Sequence, residues 1–183
     1  MAMKLFMAIA ALAASGAALA QTPDASRFGY GPVFAGHGPH ASVAADVIIP
    51  EGTVFKHSFD GSERAEDGQN RTLIAAARFL NMHAAAGVPR ENMALAVVVH
   101  GQAAQDLLTA EAYASRFDGA ANPNAPLIAA LVGEGVRIIL CGQSAAGLGL
   151  DETADLLPGV EVALSAMTAH ALLQQDGYTV NPF

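Results

Sequence analysis

The sequence predicts an α/β fold, a single domain on a mainly parallel five-stranded sheet covered by helices on both faces. Three observations lead there. Strand-like and helix-like segments alternate four times with short links between them. The run "MALAVVVHG" (93–101) is apolar nearly throughout, as a strand covered on both sides must be. Hydrophobic residues make up 52% of the chain and charged ones 14%, enough to fill one substantial core in a chain of this length.

The chain opens on a stretch with the grammar of a secretory signal peptide. Lys4 supplies the positive region, residues 5–14 the apolar region, and Ala18-Leu19-Ala20 a small-residue cleavage site before Gln21. Its apolar part falls short of the roughly 20 residues that span a bilayer. Residues 1–20 are therefore expected to be a removed leader, and the product a periplasmic protein without a membrane anchor. Residues 21–52, rich in Gly, Pro and His, lack a period and are expected to form an irregular arm. Residues 53–183 then form the α/β domain.

"VFKHSF" (54–59) is the first predicted strand, followed by the polar loop "DGSERAEDGQ". Asn70 caps a predicted helix over 71–86, with Leu73, Ala76, Ala77, Leu80 and Ala84 on one face and Gly87 and Pro89 as its stop. Strand 93–101 leads to helical residues over 103–117. Asn124 is expected to cap a helix over 125–132, with Pro126 in its first turn. "VRIIL" (136–140) is the third strand and 144–156 a short helical region. "VEVAL" (160–164) is the fourth strand, 165–176 the last helix, and "YTV" (178–180) a short fifth strand.

The formal net charge is −8 and no basic stripe exists, which argues against nucleic acid and anionic membrane surfaces as partners. One cysteine, Cys141, excludes an internal disulfide. In an exported protein a leftover thiol is an inert buried group, half of an intermolecular bond, or a reactive group.

Ligands of open α/β sheets bind beyond the carboxyl ends of the strands. By that rule His100-Gly101, Cys141-Gly142 and Ser165-Ala166 share one edge of the sheet. Cys141 precedes a helix start, where free N–H groups and the helix dipole lower a thiol pKa. Gln143 and Ser144 add donors for an anion there, and Gly101 and Gly142 are expected to let a ligand approach the backbone. His100 is a candidate base toward Cys141, or a structural hydrogen-bonding group. His57, His83 and His170 read as surface residues of strands and helices. His37 and His40 lack further ligands at metal spacing, so a solvated loop is the better reading, and neither metal nor cofactor is expected. No P-loop, GxSxG, HExxH or CxxC motif occurs.

The runs "AVVVHG", "NPN", "GVRIILCGQSAAGLG" and "VEVALSAMTA…GY" resemble the DsrE/DsrF-like family of small sulfur-handling proteins, and within it the exported branch. The resemblance covers about residues 54–183. It implies a Rossmann-like, three-layer five-stranded parallel sheet and assembly into oligomers. In relay members a cysteine ending the third strand carries sulfur as a persulfide, and Cys141 stands at that position. Asn122 of "NPN" joins Gly101, Gly142, Gln143, Ser144 and Ser165 as a candidate ligand-binding residue, with Cys141 and His100 as the catalytic pair. The expected partners are a sulfur donor or acceptor protein or a small thiol, and further copies of the chain. The competing expectation is a non-catalytic oligomeric scaffold or small-ligand binder whose pocket Cys141 merely lines.

Overall fold

The computed structural model describes residues 24–181, so the predicted leader lies outside the described residues. Five parallel strands form the sheet: β3 (Phe55–Gly61), β4 (Met93–Val99), β5 (Arg137–Cys141), β6 (Val160–Ala163) and β7 (Thr179–Asn181). Two shorter strands, β1 (Phe28–Gly29) and β2 (His40–Ala41), pair antiparallel in the arm. The helices are α1 (Arg71–Ala85), α2 (Ala110–Arg116), α3 (Ala125–Gly133), α4 (Gly142–Leu148) and α5 (Ala166–Gln175).

Spatial order in the sheet is β6-β5-β4-β3-β7. The chain steps from β3 through β4 and β5 to β6 one neighbour at a time. It then returns along α5 to the opposite edge and adds β7. A parallel neighbour can be reached only by such a crossover, because the chain must be carried back to the strand's starting end.

The apolar character of β4 has the expected cause. Leu95, Val97 and Val99 pack into the large core with Leu73 and Leu80 of α1 and Leu127, Ile128 and Leu131 of α3. Ala96 and Val98 face the other way, onto Ala169 and Leu173 of α5. The two covers are unequal: one face carries most of the helices and most of the buried side chains, the other a single helix over a smaller cluster.

Local chemistry moves several expected boundaries. The helical region after β4 splits into a 3-10 turn over Gly101–Leu107 and α2, because the Thr109 side chain caps α2 by accepting from the Ala112 N–H. Asn124 stands at the N-cap of α3 as expected but makes no side-chain capping bond; its side-chain oxygen instead accepts the Asn70 N–H at 2.7 Å. The helix after Cys141 starts at Gly142 and ends at Leu148, with Gly149 left-handed at its end. The chain beyond is a turn held by Asp151, whose carboxylate accepts from the Thr153 and Ala154 N–H groups.

Most of the described part of the arm lacks regular structure, yet it packs onto the domain. Phe34 sits in the main core. Fully buried Asn81 of α1 accepts from the Val33 and Phe34 N–H groups and donates to the Phe34, His37 and Gly38 carbonyls. A segment without strand or helix partners for its backbone is thereby satisfied by one amide side chain. Among the described residues, no helix is long and apolar enough to cross a membrane.

Candidate functional site

Cys141 is the last residue of β5, paired in register with Ala163 of β6. The chain leaves β5 toward the large-core face, where Ala145 of α4 is buried, and leaves β6 toward the opposite face through α5. The crevice between two strand ends whose helices diverge is where open α/β sheets place ligands. Cys141 lies at its base. Burial pushes the thiol up, but the Ser144 hydroxyl and the N–H groups of Ser144, Ala166 and Gln143 donate toward the sulfur and bring it below the ordinary thiol range. Two of those amides open α4 and one opens α5, so two helix starts converge on one atom. The net effect favours a thiolate.

Ser144 is itself oriented. Its oxygen accepts the Gly101 N–H at 2.9 Å, which leaves its own proton free to point at the sulfur. The expected roles of the two glycines need correction. A Cβ on Gly101, whose φ is +55°, would stand 2.9 Å from the Ser62 carbonyl oxygen, and one on Gly142 would stand 2.9 Å from that of Ala163. Both glycines let protein backbones approach each other. They do not clear space for a ligand.

The other candidates divide. The Gln143 amide group donates to the Leu164 carbonyl at 3.2 Å, across the crevice mouth, while its backbone N–H serves the sulfur. Ser165 is the N-cap of α5 and accepts from the Thr168 N–H. Asn122 donates to the Asp106 and Leu108 carbonyls and accepts from the Asn124 N–H, so its side chain holds a buried turn away from Cys141. His37 and His40 lie in the arm, the latter bonded to the Gly31 carbonyl. Among the described residues, no group of three His, Cys, Asp or Glu side chains is arranged to hold a metal.

His100 engages a partner that sequence reading missed. Its Nε2 lies 3.2 Å from one oxygen of Asp60, and the Nε2 of His170 lies 2.8 Å from the other. Burial raises the Asp60 carboxyl, but the hydrogen bonds from His170 and His100 outweigh it and hold the group ionised below its usual range. His170 is therefore not a surface residue of its helix: its side chain is 16% exposed. Nor are His57 and His83 plain surface groups, since both stack on the Phe79 ring, at 5.3 and 3.8 Å between centroids. The available signal for Asp60 was strand alternation, because β3 runs two residues past its expected end and keeps Asp60 in the row of Ser58.

A depression of about 1160 Å³ lies beside this carboxylate, lined by Asp60, Ser62, Arg64, Gln69, Asn70 and Gln102 among others. Cys141 is not in its wall and is 5% exposed. Around the crevice, Leu164 and Met167 are 73% and 81% exposed, so the thiol sits beneath an apolar rim.

A family model described as "DsrE/DsrF-like family" matches residues 53–182. Comparison with curated proteins gives no match. Among solved structures, a protein of unknown function, MTH1491, from Methanobacterium thermoautotrophicum is similar at 22% identity and a TM-score of 0.53. That similarity covers 70% of this chain and 99% of that one. The ychN protein from E. coli is 15% identical at a TM-score of 0.46, over 71% of this chain and all of that one. The parallel sheet, its covering helices and the family match over most of the chain agree: the chain belongs to the DsrE/DsrF-like family.

Proposed function

We propose that the protein is an exported sulfur carrier that holds sulfane sulfur as a persulfide on Cys141. The observation that carries this reading is the convergence of two helix starts and the Ser144 hydroxyl on the only thiol of the chain. Family membership supports a sulfur-relay role in general terms. The thiolate attacks the outer sulfur of a persulfide or polysulfide donor. The donor's S–S bond breaks, its remaining sulfur leaves as a thiolate, and a new Sγ–S bond forms. An acceptor thiolate then takes the terminal sulfur, and Cys141 departs as the thiolate it was. No external oxidant is consumed in either step.

The donor and acceptor are small thiols or partner proteins, and the exposed Leu164 and Met167 rim suits docking of either a protein partner or a second copy of the chain. Placement in the periplasm rests on the leader-like first twenty residues. Mass spectrometry after incubation with polysulfide should show an adduct of about 32 Da, one sulfur atom, on Cys141 and none on Cys141→Ser. Absence of the adduct with polysulfide and with thiosulfate alike removes the carrier reading.

One observation favours a scaffold or binding module instead: Cys141 is 5% exposed and stands outside the depression beside Asp60. Alkylation separates the two readings. Rapid modification at neutral pH belongs to the carrier; reaction only under unfolding conditions belongs to the scaffold.

A further inference from the structure

β3, β4 and β5 lie side by side, with Asp60 paired to Val98 and Val99 paired to Leu140. Ala96, Val98 and Ile139 point toward α5, so the two-residue alternation of a strand sends Asp60, His100 and Cys141 to that same face. His100 remains extended, with φ −146° and ψ −174°, and its N–H donates to the Gly61 carbonyl as a continuation of the ladder. Continued one step beyond the Val99–Leu140 pair, the register sets His100 opposite Cys141 on the neighbouring strand, about 4.8 Å away as between any paired strands. Three chemistry-bearing side chains thus occupy one row at the carboxyl edge: a carboxylate, an imidazole and a thiol.

The carboxylate is fully used. Each oxygen of Asp60 holds one imidazole, and each imidazole is held through Nε2. His170 anchors the carboxylate from α5, and its own Nδ1 is buried without a partner, so Asp60 alone sets that ring. With the Nε2 proton of His100 directed at Asp60, the lone pair of its ring is on Nδ1.

We propose that Asp60 is a positioning residue of this site, orienting His100 so that its Nδ1 accepts the proton Cys141 gives up before it takes sulfur. The proposal rests on the carrier reading and names the base that reading leaves open. The S–H proton moves to Nδ1 and the sulfur keeps the bonding pair. The Nε2 proton stays on the Asp60 side, and the carboxylate stabilises the imidazolium that forms beside the thiolate. No bond to carbon changes and no electron is transferred. Asp60 is held by His100 from β4 and His170 from α5, and its depression is also lined by the charged Glu63, Arg64, Glu66 and Asp67 of the loop and Arg71 of α1; the hydrogen-bond donors to the sulfur come from Ser144, Gln143 and Ala166.

The test is the rate of iodoacetamide alkylation of Cys141 between about pH 5 and 9 in the whole protein, with Asp60→Asn and His100→Gln beside the wild type. Asp60→Asn and His100→Gln are expected to slow alkylation at neutral pH on the order of tenfold and to move its midpoint upward. An Asp60→Asn profile that overlays the wild type overturns the proposal. Should that variant fail to fold, imidazole nitrogen NMR of the unmodified protein decides. A His100 ring protonated at Nε2 whose resonances move on Cys141→Ser supports the assignment, and a ring protonated at Nδ1 overturns it. The sulfur-adduct measurement is independent. A loaded Cys141 with an unmoved Asp60→Asn profile removes only this proposal, whereas a shifted profile without loading removes only the carrier reading.

Discussion

Ser144 shows how one hydroxyl can set the chemistry of a site. It accepts from the Gly101 N–H and so directs its proton at the Cys141 sulfur, where burial alone would have kept the thiol neutral. A hydrogen bond to a charged group contributes about 1.5–3 kcal/mol, roughly one or two powers of ten in ionisation. Ser144→Ala should therefore raise the Cys141 pKa and slow its alkylation at neutral pH by on the order of tenfold. The difference should vanish at high pH, where both thiols are ionised. Stopped-flow or mass-spectrometric labelling across pH checks this, and equal rates at every pH would show that the hydroxyl plays no part. The same residue scale explains what was legible beforehand. Cys141 and His100 are legible from strand ends, and Ser144 from the helix start that follows Cys141. Asp60 reads as loop, since an acidic residue followed by Gly and Ser resembles a turn, whereas β3 continues through Gly61.

At the scale of elements, the close approach of α4 to β6 deserves its own prediction. Gly142 opens α4 where a side chain would meet the Ala163 carbonyl at 2.9 Å, and backbone cannot step aside as a flexible side chain does. Gly142→Ala should part α4 from β6, cost about 1–3 kcal/mol in stability as overpacking does, and carry the Gln143 and Ser144 amides off the sulfur. Thermal denaturation should register the first effect and slower alkylation the second. A variant as stable and as reactive as the wild type would mean that the two elements have slack. Sequence reading places a helix after Cys141 yet assigns its Gly142 to ligand access. Glycine announces that something comes close; only packing says what.

The whole molecule carries a pH dependence distinct from the site. His57 and His83 flank Phe79, joining β3 to α1, and Phe55 closes on His83 edge-on at 4.7 Å. Burial lowers both imidazole pKa values, and the charge of His83 lowers that of His57 further. The unfolded chain then binds more protons than the native one, so stability rises with pH through this pair. The contribution is present above the ordinary histidine value near 6.5 and is lost as pH falls through it toward the lowered native values. Urea denaturation midpoints should drop between about pH 7 and 5, and His83→Asn should flatten that slope, as Asn does not titrate. A midpoint independent of pH over this window would exclude the stack as a stability determinant.

What the sequence by itself determined was the part written in local periodicity. Alternation of segments, the doubly apolar run of β4 and the glycine and proline stops were enough for an α/β fold and for the strand ends where Cys141 and His100 stand. The tertiary structure alone decided how those ends are wired. Asp60 and His170 are 110 residues apart and meet because α5 returns beneath the sheet from β6 to β7. No period in either segment encodes that meeting. The unequal covers of the two faces were likewise invisible, since a strand apolar on both sides reads the same whether one helix or several lie over it. Local sequence sets which residues alternate in and out; the path of the crossover sets which of them become neighbours.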